Sequence, residues 1–326
     1  MNTAILLLIF NRPDETRAVF NALRIIKPKF LFVACDGPRG KVASDVANVV
    51  KTKEILREID WDCELKTLYR EGNLGCKKAV SEGINWFFEN VDEGIILEDD
   101  CVPDVTFFNF CTELLDTYRD DKRVMHISGL NFLSGPKALS QDVESYHFSK
   151  YPAVWGWATW KRAWDLYDVD IVSWPKAKRE ELHLNFCFNK NERLVREMQF
   201  DTAYNKKIDT WDYQWVYCVS MNNGLCVTPN TNLISNIGFN DNATHTFTLD
   251  NRSHLARGSI VFPLTPPLHV VPDYNSDWKE FVNHIRIPLY RRVIKSLVVS
   301  FGIYKVVASL YHKILNYKEL SKNLYY

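Results

Sequence analysis

The segment Glu93-Gly94-Ile95-Ile96-Leu97-Glu98-Asp99-Asp100 constrains the fold of this chain more than any other. Ile95-Ile96-Leu97 reads as a buried strand, and it runs straight into three successive acids. Carboxylates so placed are costly to bury without a cation or strong hydrogen-bond donors. Oxygen ligands of this kind suit Mg²⁺ or Mn²⁺, which take one or two protein carboxylates and complete their shell with substrate phosphates. A nucleotide diphosphate is the natural third party. The plain alternative is a solvated acidic turn.

The surroundings of the triplet decide between these. The first 130 residues alternate strand and helix as parallel β-α-β units do. Strands are expected at 4–10, 30–35, 63–68 and 94–97, and helices at 15–26 (capped by Asp14), 43–59 and 74–88. The pattern is that of a doubly wound α/β fold. The second strand ends in Asp36-Gly37-Pro38-Arg39-Gly40, a loop at the carboxyl end of a strand, where open α/β sheets bind ligands. Neither a G-x-G-x-x-G nor a G-x-x-x-x-G-K-[ST] motif is present, which argues against a dinucleotide fingerprint and a Walker loop.

Charge narrows the partners. Forty Lys plus Arg balance forty Asp plus Glu, so there is no overall attraction to a polyanion, and nucleic acid is not an expected partner. The neutral total hides an asymmetry, because residues 286–326 carry eight Lys/Arg against Glu319 alone. Apolar residues recur there at helical spacing, while the longest uncharged run, 296–304, is too short to span a bilayer. A basic amphipathic helical tail fits, either lying on an anionic membrane surface or docked on its own core. The eight cysteines form neither a C-x-x-C pair nor a zinc-spaced cluster and read as reduced thiols of a cytoplasmic protein. The apolar run at 4–10 has no basic residues before it and reads as a strand rather than a signal.

Seven of the ten tryptophans fall between 155 and 215. About two thirds of them are expected in the core, leaving the remainder to stack on something flat and partly polar. The expected organisation is one catalytic domain over 1–285 and the tail over 286–326.

The order LIFNRPDE, ACDGPRG, YREGNLG, ILEDDCVPD resembles glycosyltransferases of the GT-A fold, whose Rossmann-like nucleotide-sugar-binding domain has a mixed central sheet. YPAVWGWATWKRAW, TWDYQW and GFNDNATHT extend the likeness towards the N-acetylglucosaminyltransferase I type and bacterial family 2-like sugar transferases. The resemblance covers about residues 3–250. It implies that Asp100 binds Mn²⁺ or Mg²⁺, Asp99 the ribose, and Glu98 a hydroxyl of the donor sugar. Arg12 would approach the phosphates or base, and Asp36 would read the base edge. Arg70, Asn73 and Lys78 would line the same crevice. Gly156 and Trp157 would meet sugar or acceptor, with Trp211 beside them. Thr244 and His245 would donate to the diphosphate, or His245 would ligate the metal. The family-2 Ala-Arg-Asn version of the segment containing Lys78 is absent.

The implied reaction is an inverting transfer from a nucleotide diphosphate sugar, UDP-linked by the same resemblance, to a hydroxyl of a glycan acceptor. Such a transfer needs a carboxylate base on the acceptor side. Asp212, between Trp211 and Trp215, matches the family's catalytic acid, and Asp209 is its competitor. A lipid-linked glycan at the inner face of the cytoplasmic membrane, in surface-polysaccharide synthesis, fits a membrane-bound tail. Alternatives are a carbohydrate-binding protein without catalysis, a retaining transferase, and a sugar nucleotidyltransferase. The last would need a Gly-rich, basic loop after the first strand, where Asn11-Arg12-Pro13-Asp14 stands instead.

Overall fold

The computed structural model describes residues 1–133, 144–238 and 255–286. The chain divides into two units, Met1–His284 and Ile285–Tyr326. Of the second, only Ile285 and Arg286 are described, so the expected helical tail lies outside the described residues. Among the described residues no helix is long and apolar enough to cross a membrane.

The first unit opens with β1 (Ile5–Ile9), α1 (Pro13–Ile26), β2 (Phe30–Cys35), α2 (Ala43–Glu54), β3 (Glu64–Tyr69), α3 (Cys76–Phe88) and β4 (Glu93–Glu98). It continues with β5 (Cys101–Pro103), α4 (Val105–Thr117), β6 (Val124–Ser128), β7 (Tyr146–Ser149), β8 (Trp157–Trp160) and α5 (Lys161–Trp164). Then follow α6 (Trp174–Arg179), α7 (Lys190–Tyr204), α8 (Asp212–Met221), β9 (Leu225–Pro229), β10 (Ile234–Asn236) and α9 (Tyr274–Glu280).

Eight strands form one sheet in the order β3-β2-β1-β4-β8-β6-β9-β7. The first four pair parallel, as expected, with Leu7 opposite both Val33 and Leu97. β8 then runs antiparallel between β4 and β6, and β7 antiparallel to β9, so the sheet is mixed and the doubly wound pattern is confined to the first half.

Strand periodicity builds the layers. In β1, β2 and β4, residues Ile5, Leu7, Ile9, Leu31, Val33, Ile95 and Leu97 face one core, which α1, α2 and α4 cover with Val19, Phe20, Val49, Phe107 and Leu114. Leu6, Leu8, Phe32, Ala34 and Ile96 face the other core, closed by Ile84 and Phe87 of α3 and by Trp215 and Val219 of α8. This double burial explains the unbroken apolar runs. β3 is an exposed edge, marked by Glu64 and Lys66.

Local signals were mostly faithful, with one correction at α1. Pro13 opens that helix and Arg12 occupies the cap position, so Asp14 sits in the first turn and acts on the helix dipole instead of capping.

Six of the seven clustered tryptophans are buried: 157, 160, 164, 174, 211 and 215. Trp157 stacks on Trp211 with ring centres 5.7 Å apart, and on His126 at 5.0 Å. His126 Nδ1 accepts a hydrogen bond from the Trp215 indole at 3.2 Å, so its Nε2 is the nitrogen that donates to the Ala153 carbonyl at 3.0 Å. Burial pushes the His126 pKa down from 6.5 to about 3, so the ring is neutral in the fold. The unfolded chain therefore takes the proton first, and stability falls as pH drops from 6.5 towards 3. Urea unfolding midpoints of a His126→Gln variant should decline less steeply over that window than those of the wild type.

Candidate active site

The carboxyl ends of the four parallel strands open on one cleft of about 360 Å³. Its walls include Phe10 and Arg12 after β1, Asp36 and Arg39 after β2, Arg70 and Asn73 after β3, and Glu98, Asp99 and Asp100 at the end of β4. The acidic triplet thus faces a cavity rather than bulk solvent.

Arg12 meets the triplet from the β1–α1 loop. Its Nη1 lies 2.8 Å from Asp100 Oδ2 and 3.5 Å from Asp99 Oδ1. Asp99 Oδ2 also accepts from the Phe10 backbone N–H at 3.2 Å. The Glu98 backbone belongs to the β1–β4 ladder, and its side chain makes no hydrogen bond or ion pair with another described residue. Burial, then the charges of Asp100, Asp99 and Asp212, hold the Glu98 pKa well above the usual carboxylate range, against the pull of Arg12. Burial and Asp100 push Asp99 up to about 7. One guanidinium does not neutralise three carboxylates, so the cleft favours added positive charge.

The strand after the triplet, β5, pairs antiparallel with β10, with Asn236 opposite Cys101. This pairing draws Gly238 onto Asp100, where a Cβ on the glycine would collide with Asp100 Oδ2. Gly156 is likewise obligatory, since its φ is +62° and a Cβ there would strike Ile234. Its role is to let the backbone turn into β8.

Asp36 lines the cleft, but its carboxylate accepts from Gly37 N–H, Leu74 N–H and Asn73 Nδ2 at 2.8–3.1 Å. It staples the loops after β2 and β3 together. Arg70 is turned to Glu82, with Nη2 to Oε2 at 2.8 Å. Lys78 lies outside the cleft, 62% exposed and 3.7 Å from Glu82, because its position on α3 points to solvent.

Trp157 and Trp211 do not face the cleft: their indoles are 0% and 2% exposed and complete the aromatic core. Trp155, only partly buried, is the tryptophan on the cleft wall. Thr244 and His245 lie outside the described residues. Among the described residues no group of three or more His, Cys, Asp and Glu converges as a ready metal cage.

The two candidate bases differ in what they already do. Asp209 lines the cleft, yet both its oxygens accept from the first N–H groups of α3, Cys76 at 2.8 Å and Lys77 at 3.0 Å. It caps that helix from across the cleft. Asp212 sits in the first turn of α8 and accepts from the Thr210 hydroxyl, and its charge is felt by Glu98. Arg39, Asn236, Gly238 and Trp155 also line the cleft, though sequence reasoning assigned none of them an individual role. Arg39 stands in the Gly/Pro loop after β2, and Gly238 opens the Gly/Asn-rich segment GFNDNATHT.

No protein-family model matches this chain, and no curated protein does. Among solved structures, HddC from Yersinia pseudotuberculosis complexed with GMP-PN is 8% identical, covering 49% of this chain and 78% of its own at a TM-score of 0.30. A 4-diphosphocytidyl-2C-methyl-D-erythritol synthase from Anaerococcus prevotii is 10% identical, with coverage of 51% and 75% and a TM-score of 0.31. UDP-glucose pyrophosphorylase complexed with UDP-glucose is 8% identical, with 50% and 78% covered and a TM-score of 0.29. These likenesses are too distant to carry a functional argument.

The charge imbalance makes a stability prediction. A raised carboxyl pKa means that the ionised group weakens the fold above its unfolded value of 4.5, and protonation relieves that. Glu98→Gln should therefore stabilise the metal-free protein at pH 8 by roughly 1–3 kcal/mol, read from urea unfolding. The gain should shrink as the pH approaches 4.

Proposed function

We propose that residues 1–285 form a metal-dependent, inverting glycosyltransferase of the GT-A type. It moves a sugar from a nucleotide-diphosphate sugar to a hydroxyl of a glycan acceptor. The observation that carries this reading is the acidic triplet at the end of β4, which lines the cleft with more negative charge than Arg12 offsets. A nucleotide diphosphate held with a divalent cation matches such a charge excess.

Asp100, at the mouth of β5 and under Gly238, is the ligand for Mn²⁺ or Mg²⁺, and oxygen donors suit either ion. Such an ion supplies electrostatic stabilisation of charge on a leaving diphosphate. Glu98, with no protein partner in the described residues, accepts from a hydroxyl of the donor sugar, and Asp99 from the ribose. Arg12 is the cation already at hand for phosphate oxygens.

Asp212 is the base. It removes the proton from the acceptor hydroxyl as that oxygen bonds to the anomeric carbon. The bond from that carbon to the diphosphate oxygen breaks on the opposite face, so configuration inverts. Asp209, the competing carboxylate, is committed by two hydrogen bonds to the N-terminus of α3. Thr244 and His245 belong to a segment that would cover the diphosphate and exclude water.

Residues 286–326, with their excess of basic charge, are read as a tail for the anionic inner face of the cytoplasmic membrane, next to a lipid-linked glycan acceptor. Deleting them should abolish co-sedimentation with phosphatidylglycerol vesicles; unchanged sedimentation refutes the assignment.

Nucleoside diphosphates should raise the thermal midpoint only when Mn²⁺ or Mg²⁺ is present, and Asp100→Asn should remove that response. Asp212→Asn should keep it while lowering transfer by about 10²–10⁴-fold. Transfer with retention of configuration, or nucleotide exchange with pyrophosphate, would point to a different transferase.

A further inference from the structure

The β2–α2 loop holds an arginine that the reading above leaves without a task. Arg39 stands at the cleft wall, and its guanidinium lies over the Phe10 ring, 5.5 Å from the centroid. Asp45, on α2 and 1% exposed, grips it. Asp45 Oδ2 accepts from Arg39 Nε at 2.6 Å and from its backbone N–H at 3.1 Å, and Oδ1 accepts from Arg39 Nη2 at 2.9 Å. Asn11 Nδ2 adds a fourth bond to Oδ1 at 2.7 Å.

A buried carboxylate that commits three of its four hydrogen bonds to one half-exposed arginine is an expensive arrangement for a surface ion pair, which by itself contributes little. The clamp fixes the plane of the guanidinium and leaves Nη1, which makes no hydrogen bond to any described residue.

Position gives the ligand. The β2–α2 loop lies two strands from the triplet in the order β2-β1-β4, roughly 10 Å across the sheet. A nucleotide with its phosphates at the triplet extends its base outward over that distance. The expected base reader, Asp36, already has its carboxylate engaged by Gly37, Asn73 and Leu74. A guanidinium has only donors, so it accepts a base edge that carries a carbonyl and rejects one that carries an amino group. The outer edges of uracil and guanine carry a carbonyl, and those of cytosine and adenine carry an amino group.

We infer that Arg39, held in place by Asp45 and Phe10, is the specificity-determining residue for the donor nucleotide and selects bases whose outer edge is a carbonyl. This rests on the nucleotide-sugar reading of the cleft. Asp45 is a positioning residue, acting on the base through Arg39 while it also holds Asn11.

The test is calorimetric titration of the full chain with UDP, GDP, CDP and ADP in the presence of Mn²⁺. The wild type should bind UDP and GDP at least about tenfold more tightly than CDP and ADP, the scale of one charge-assisted hydrogen bond. In Arg39→Gln that ratio should fall to about threefold or less. Arg39→Lys, which keeps the charge and loses the planar grip, should lose it too. Asp45→Asn should also flatten the ratio, whereas a merely structural role would weaken all four nucleotides alike.

A wild type without the preference, or an Arg39→Gln protein that retains it, overturns the inference and leaves the transferase reading standing. If none of the four nucleotides binds the wild type, both fall together.

Discussion

Three carboxylates meet one guanidinium at the end of a buried strand, and the rest of the site is arranged around that imbalance. β4 delivers Glu98, Asp99 and Asp100 because its Ile95-Ile96-Leu97 core lies between β1 and β8, with helices on both faces. The chain has no freedom to carry the acids away without breaking the sheet. Arg12 relieves part of the repulsion, while burial and then the neighbouring carboxylates still hold the Glu98 and Asp99 pKa values up. On the proposed reading a cation and a diphosphate would relieve that repulsion, so that the site trades stability for binding.

The neighbouring elements serve the same end. β10 pairs with β5 and lays Gly238 on Asp100, so that carboxylate is confined from above as well as by Arg12 of the β1–α1 loop. Asp209 ties α3 to the segment leading into α8, which brings Asp212 within electrostatic reach of Glu98. Asp36 joins the loops after β2 and β3, and Asp45 joins those after β1 and β2. Each is a long-range contact between loops that the strands have already brought close.

The parallel half was legible because its signals are local. β2 falls on the expected residues, and β1 and β4 lie within about one residue of expectation, since a strand covered on both faces is a continuous apolar run; the exposed edge β3 also lies within about one residue. The triplet was legible for the same reason. β8 was not, because an antiparallel strand inserted between β4 and β6 is set by pairing across 60 residues rather than by any local pattern. The tryptophans were misplaced for a related cause. Trp157 and Trp155 stand two residues apart on opposite sides of Gly156, and the positive φ of that glycine sends one into the core and leaves the other on the cleft wall. Nothing in the run Trp155-Gly156-Trp157 says which. Arg39 escaped notice because its partner, Asp45, reads as an ordinary first-turn acid of α2.

The most direct measurement is a crystal of the protein grown with Mn²⁺ and a nucleoside diphosphate, with anomalous scattering recorded at the manganese edge. The account predicts a single strong peak against the Asp100 carboxylate, bridged to diphosphate oxygens, with Arg12 drawn from Asp100 towards phosphate. An empty triplet, with Arg12 still paired to Asp100 and the nucleotide absent from the cleft, would contradict it.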